Sequence, residues 1–287
     1  MTGATGRATG VVALVLAALL GSAYVLGRSL VSGEAPRGAE VTSRAGGVQY
    51  AEQPAESGAA ADRPTGGDPQ GGPDGGSHHA AEGVGGGPFG SRVSTGSTLV
   101  ALTFDDGPNP DYTPQVLDVL REFGVRATFC VVGENAQRHP HLIRAIVADG
   151  HTLCNHSWRH DVQLGRRSRD AIRADLLRTN EAIRAAVPDA PIAWYRQPGG
   201  AWTYPLVSVA EELGMIPLHW SVDPVDWRTP GALRIATRVV RDTTAGSIVL
   251  LHDAGGERQG TVDALRHMLP ELTSRFPLDA LPHDSRP

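Results

Sequence analysis

Two carboxylates stand side by side at Asp105 and Asp106, in TFDDGPNP (103–110), directly after the apolar run LVALTF. Asp, Gly, Pro and Asn are ordinary turn formers, but adjacent aspartates repel, and neither offsets the other's charge. HSWRH (156–160) sets His156 and His160 four residues apart, which on a helical turn points both imidazoles the same way. Zinc endopeptidases with this spacing carry Glu after the first His; Ser157 stands there, so a base must come from elsewhere. One aspartate as third ligand and the other as base would complete a hydrolytic metal centre with positions open for water and substrate. A divalent cation would neutralise one of them, and Arg196 would pair with the other and keep it ionised. His252 is the candidate general acid, with Asp226 on its far nitrogen holding it protonated. Singly, each has a plainer reading: Arg196 in a surface ion pair, His252 satisfied in the core, Asp223 and Asp226 in turns.

The elements that must position these groups are legible from residue 97 onward. Strands are expected at 98–104, 127–132, 151–155, 192–196, 215–221 and 247–252, with a weak seventh at FPLDA (276–280). Helices are expected at 113–124, 140–150 and 168–188, and near 205–213, 231–242 and 261–273. Thr113 and Ser168 read as N-caps, and Gly124, Gly150 and Pro188 as stops. This alternation predicts an α/β fold with a parallel sheet, either open and doubly wound or closed as a barrel. Both place ligands at the carboxyl ends of the strands. The unusual polar residues fall there: Asp105 and Asp106 after the first strand, and His156 and His160 after the third. Arg196 ends the fourth, Asp223 and Asp226 follow the fifth, and His252 ends the sixth. Turn chemistry does not explain His and Arg at one rim, so together these residues read as a site.

The chain has 287 residues and a net charge of -5, and its 26 basic residues are all arginine. No cluster of basic and aromatic residues is present, which argues against nucleic acid as a partner. Residues 1–28 read as an export segment: Arg7, an uncharged stretch at 10–27, then Arg28. The stretch is long enough to anchor in a membrane, and GSA at 21–23 offers a cleavage site, so anchor and signal peptide both stay open. Residues 29–96 form a Gly/Pro-rich linker unable to bury enough apolar surface to order itself; His78 and His79 within it read as a solvated pair. The expected catalytic part is 97–287, located outside the cytoplasm and monomeric. Free buried cysteine is the favoured reading of Cys130 and Cys154, although export would permit a disulfide.

These residues resemble the polysaccharide deacetylases, the metal-dependent family 4 carbohydrate esterases. The resemblance covers about 98–275 and rests on TFDDGP, HSWRH, RQPGG (196–200), DPVDW (223–227) and LLH (250–252) in that order. It implies a distorted (β/α) barrel of six or seven parallel strands, TIM-barrel-like, and hydrolysis of N- or O-acetyl groups on a polysaccharide. Asp105 is then similar to the catalytic base, Asp106, His156 and His160 to the metal ligands, and His252 to the general acid. Arg196 corresponds to the arginine that orients the base, and Asp226 to the aspartate that tunes the acid. Trp227 and Leu250 would line the acetyl pocket, and the Gly199 N–H would face the oxyanion. Trp202 and Tyr204 would stack on sugar rings or pack in the core. Zinc is the expected metal, with cobalt, nickel or manganese as alternatives. Two features depart from the family: Gly199 stands where many members carry a larger residue, and the C-terminal end is a poor match to the usual last strand. The expected substrate is a peptidoglycan or chitin-like N-acetylglucosamine polymer. An O-acetyl xylan esterase, or an inactive carbohydrate-binding relative, is the alternative. An Asp-nucleophile phosphohydrolase is disfavoured because position 107 is Gly rather than Asp.

Overall fold

The structure is a computed structural model and describes residues 86–283. The export segment and most of the expected linker, including His78 and His79, lie outside the described residues. Six short strands form one sheet: β1 (Ala101–Asp105), β2 (Thr128–Val131), β3 (Thr152–Asn155), β4 (Trp194–Tyr195), β5 (Ile216–Pro217) and β6 (Ile248–His252). Their order is β5-β4-β3-β2-β1-β6 and every pairing is parallel. Alternation along β1 explains its composition. Leu102 and Phe104 join the outer core under the helices, while Ala101 joins an inner cluster with Cys130, Cys154, Trp194, Leu218 and Ile248.

The sheet curls until its outer strands meet. Past β5, the N–H groups of Ser221 and Val222 donate to Ile248 O (3.0 and 3.2 Å), and Leu250 N–H donates to Val222 O (2.9 Å). Nearer the amino ends of the strands, residues 92–95 fill the gap, although composition assigns them to the linker. Arg92 N–H donates to Pro217 O and Thr95 N–H to Gly246 O, at 2.8 and 2.9 Å. The fold is thus a distorted (β/α) barrel with six strands. The expected seventh strand at 276–280 is reduced to a single bridge between Leu278 and Val100. The chain instead turns under the barrel. Leu281 N–H donates to Thr128 Oγ1 (3.0 Å), Thr152 Oγ1 to Leu281 O (2.7 Å) and Trp194 Nε1 to Pro282 O (2.9 Å). The Leu281 side chain completes the inner cluster from below.

Seven α-helices surround the strands among the described residues: α1 (Thr113–Glu122), α2 (Gly133–Arg138), α3 (Pro140–Ala148), α4 (Arg169–Ala186), α5 (Tyr204–Glu212), α6 (Ala232–Asp242) and α7 (Gln259–Arg275). Each long helix turns an apolar stripe to the core, as Ile172, Leu176 and Ile183 do on α4; each such side chain contributes about 1.5–3 kcal/mol on burial. Ser168 caps α4 as expected, its hydroxyl accepting from Ala171 N–H. Thr113 is not the N-cap of α1. Tyr112 holds that position, and the Thr113 hydroxyl is engaged with the loop before it and with Asp253. The short α2 was not foreseen, because six residues with one buried apolar side chain, Ala136, carry no readable period. The reading of free cysteines is corrected as well: Cys130 and Cys154 form a disulfide. They are register partners on β2 and β3, both turned into the barrel. No helix among the described residues is long and apolar enough to cross a membrane.

Candidate metal centre and active site

Asp105 ends β1 rather than following it, and the barrel alternation turns its side chain inward. Asp106 then takes a left-handed backbone, φ 76°, a conformation that costs a non-glycine residue about 1–3 kcal/mol and persists only where the surroundings enforce it. Here Asn135 Nδ2 on α2 donates to Asp106 O (2.9 Å) and Val132 N–H to Gly107 O (2.9 Å). Two glycines make room for the turn. A Cβ on Gly107 would sit 2.4 Å from Asp253 Oδ1, and one on Gly255 (φ 74°) 2.2 Å from Asp106 Oδ2.

The histidine pair lies on no helix, contrary to the expectation from its spacing. After β3 the chain makes a turn with Ser157 and His160 both left-handed, φ 63° and 55°. That turn is pinned from several sides. Asn155 Oδ1 accepts from Ser157 N–H (2.9 Å), Asp175 Oδ1 on α4 from Trp158 N–H (2.8 Å), and Ser157 Oγ from Asp161 N–H (3.1 Å). Asn155 Nδ2 in turn donates to Leu176 O and Asn180 Oδ1 on α4, both at 2.8 Å. The two rings come to 5.2 Å between centroids. Their Nε2 atoms lie 3.4 Å (His156) and 3.2 Å (His160) from Asp106 Oδ1.

Asp106, His156 and His160 therefore offer one donor atom each, all within 4.8 Å of one another. His156 Nδ1 sits 2.9 Å from Arg196 O, so Nδ1 carries the proton and Nε2 presents its lone pair to the cluster. Burial pushes His160 below the ordinary histidine value, against the pull of Asp106, favouring the neutral ligand form. Burial acts upward on Asp106, yet the surrounding imidazoles of His160, His156 and His252 outweigh it and hold the carboxyl well below its usual range. Asp106 Oδ1 is buried and has no hydrogen-bond donor completed on it. A buried carboxylate oxygen facing two imidazole Nε2 atoms fits a divalent cation.

Beside this cluster stands a fully buried arginine. Arg196 Nη1 donates to Asp105 Oδ1 (2.7 Å) and Thr103 Oγ1 (2.8 Å), and Nη2 to His219 O (3.0 Å). The charge-assisted bond fixes one Asp105 oxygen. The other, Oδ2, is left 3.6 Å from His156 Nε2, on the side of the cluster. Across β6, His252 Nδ1 lies 2.7 Å from Asp226 Oδ1, and the His252 N–H donates to Asp226 Oδ2 (2.9 Å). Thr261 Oγ1 on α7 also donates to that oxygen (2.8 Å). Burial would lower His252, but Asp226, then Asp106 and Asp105, raise it to about 9. Asp226 is held low in spite of its burial by the His252 charge and by hydrogen bonds from His252 and Thr261.

The remaining sequence candidates separate. Leu250 is buried on β6, and Trp227 is half-buried with the Arg228 guanidinium 4.5 Å from its ring centroid. Gly199 takes φ 62° in the turn after β4. Trp202 is a packing residue: it is buried, edge-on to Tyr195 at 5.9 Å, and its Nε1 donates to His219 Nδ1 (3.1 Å). Its face is therefore not offered to a sugar, whereas Tyr204 is 72% exposed. Asp223 Oδ1 accepts from Val225 N–H (2.7 Å) and shapes the DPVDW turn. Sequence reasoning missed Thr103, Asn155, Thr261 and Asp253. Only Asp253 carried a signal, standing beside His252 at a strand end. It is fully buried, and burial together with Asp106 and Asp105 pushes its carboxyl up to about 7.

Comparison with known proteins identifies the family. The polysaccharide deacetylase family model matches residues 92–218. The chain is 41% identical over 204 residues to a chitooligosaccharide deacetylase of Sinorhizobium fredii, covering 67% of this chain and 94% of the relative. It is 38% identical over 183 residues to a peptidoglycan-N-acetylglucosamine deacetylase of Bacillus cereus, covering 63% of this chain and 84% of the relative. Among solved structures, a peptidoglycan N-acetylglucosamine deacetylase superposes with a TM-score of 0.60 at 34% identity, over 67% of this chain and 88% of that one. With this barrel and this likeness, the chain belongs to the polysaccharide deacetylases, the family 4 carbohydrate esterases.

Proposed function

We propose that this deacetylase removes N-acetyl groups from an N-acetylglucosamine polymer of the peptidoglycan or chitin type, outside the cytoplasm. The observation that carries the reading is one barrel mouth holding a three-donor metal cluster, an arginine-held aspartate and an aspartate-held histidine. Asp106, His156 and His160 would hold the cation, with zinc favoured by two imidazoles and one carboxylate. When bound, it supplies a polarised water and a positive charge opposite the developing oxyanion. Asp105 Oδ2 takes a proton from the attacking water, and Arg196 holds that carboxylate aimed through its bond to Oδ1. The Gly199 N–H adds a donor to the oxyanion, and Trp227 and Leu250 bound the acetyl methyl. His252 gives its proton to the departing nitrogen as the C–N bond breaks, leaving acetate and a free amino sugar. The export segment supports placement at the cell wall, with residues 29–85 as tether or as the start of a secreted chain.

The test is acetate release by the purified protein from chitin oligomers, peptidoglycan and acetylated xylan, with chelator and with zinc restored. Zinc-restored release from an N-acetylated polymer is expected, and Asp105→Asn should lower it by about 10²–10⁴-fold while zinc content is kept. Release from xylan alone would replace the reading with an O-acetyl esterase. No release by zinc-loaded, folded protein would make the chain a binding relative.

A further inference from the structure

The residue after the proposed general acid has no place in the chemistry above, yet its surroundings are specific. Alternation at the end of β6 turns His252 inward and Asp253 the opposite way, against the turn that carries Asp106. Asp253 is fully buried, and its N–H donates to Asp105 O (3.2 Å). Its Oδ2 accepts from the Thr113 hydroxyl, which itself accepts from Asn109 N–H (2.7 Å). Its Oδ1 has no hydrogen-bond partner, and no arginine or histidine forms an ion pair with it among the described residues. The nearby Arg258 spends its donors on the carbonyls of Ala254, Gly255 and Glu257.

Leaving a buried carboxyl without a cationic partner is costly, so the position needs a reason, and the left-handed Asp106 supplies one. On one side the turn is held by Asn135 and Val132. On the other, the Asp253 carboxyl points both oxygens at Gly107, where no Cβ fits, and reaches through Thr113 to Asn109. We propose that Asp253 is a positioning residue for the metal ligand Asp106, bracing the Asp106–Asn109 turn through Thr113 so that Oδ1 stays between His156 and His160. This rests on the metal-site reading above. The brace needs an acceptor toward Thr113 and a group of carboxyl shape facing Gly107; it does not need a full charge.

Zinc titration of the metal-free protein tests it, with the melting temperature of the metal-free protein as a second readout. Asp253→Ala and Thr113→Val are each expected to weaken zinc binding about tenfold or more, the scale of outer-shell losses at metal sites. Asp253→Asn and Thr113→Ser keep the acceptor and the donor, and should stay within about threefold of wild type. If Asp253→Ala fails to fold, the Thr113 pair decides. Wild-type affinity in Asp253→Ala and Thr113→Val overturns the proposal, as does a lower melting temperature with an unchanged zinc isotherm. A loss in Asp253→Asn equal to that in Asp253→Ala also overturns it, because charge would then be the working feature. A wild-type protein that binds no zinc overturns the metal-site reading itself, and the proposal with it.

Discussion

His252 keeps its proton because Asp226 faces its Nδ1, against a burial that alone would strip it. Rising pH should therefore lower kcat/KM as His252 loses its proton, with the limb near about 9. Asp226→Asn removes the opposing charge and should move that limb down toward the ordinary histidine value of about 6.5. A pH–rate profile checks this, and an unmoved limb would free His252 from Asp226. The same shift has a stability consequence. The folded value is raised above the unfolded one, so the pair's contribution is fully present below about pH 6.5 and is lost as pH rises through about 9.

At the scale of elements, the candidate ligands Asp106, His156 and His160 stand on turns rather than on strands or helices. His156 and His160 satisfy a helical spacing, yet a turn with two left-handed residues brings their Nε2 atoms together equally well. What selects the turn is remote in sequence: Asn155 tied to α4, and Asp175 on Trp158 N–H. Local pattern carries no trace of such bonds. Gly255 belongs to this scale too, because its Cα approaches Asp106 too closely for any side chain. Gly255→Ala places a methyl 2.2 Å from Asp106 Oδ2 at a backbone φ of 74°. It is expected to weaken zinc binding by about tenfold or more and to lower the melting temperature. Zinc titration and thermal unfolding check both, and wild-type values would show that the turn yields without cost.

Over the whole molecule, two features tie down the interior of the barrel. The Cys130–Cys154 disulfide spans 24 positions of chain, and by the loop-closure estimate it contributes about 3 kcal/mol. The double substitution to alanine should lower unfolding stability by that order in urea, and an unchanged midpoint would count against a structural role. Leu281 plugs the inner cluster from the C-terminal segment. Leu281→Ala should cost about 2–5 kcal/mol while the folded fraction keeps its kcat/KM. A fall in kcat/KM at temperatures where the variant is folded would tie the floor to the site above it.

What the sequence determined by itself is the class of the fold and the chemistry. Apolar runs of strand length alternating with capped helices can bury their faces only as a parallel sheet under helices. Asp105, Asp106, His156, His160, Arg196, Asp226 and His252 stand where such strands end, so their meeting follows from strand order. The tertiary structure alone decided how the rim is held: the left-handed turns, the Thr103 and Thr261 hydroxyls, the buried Asp253, the disulfide and the C-terminal floor. Each depends on groups far apart in the chain that become neighbours only when the barrel closes. Strand and helix periods record burial along an element and not which side chains meet across the barrel.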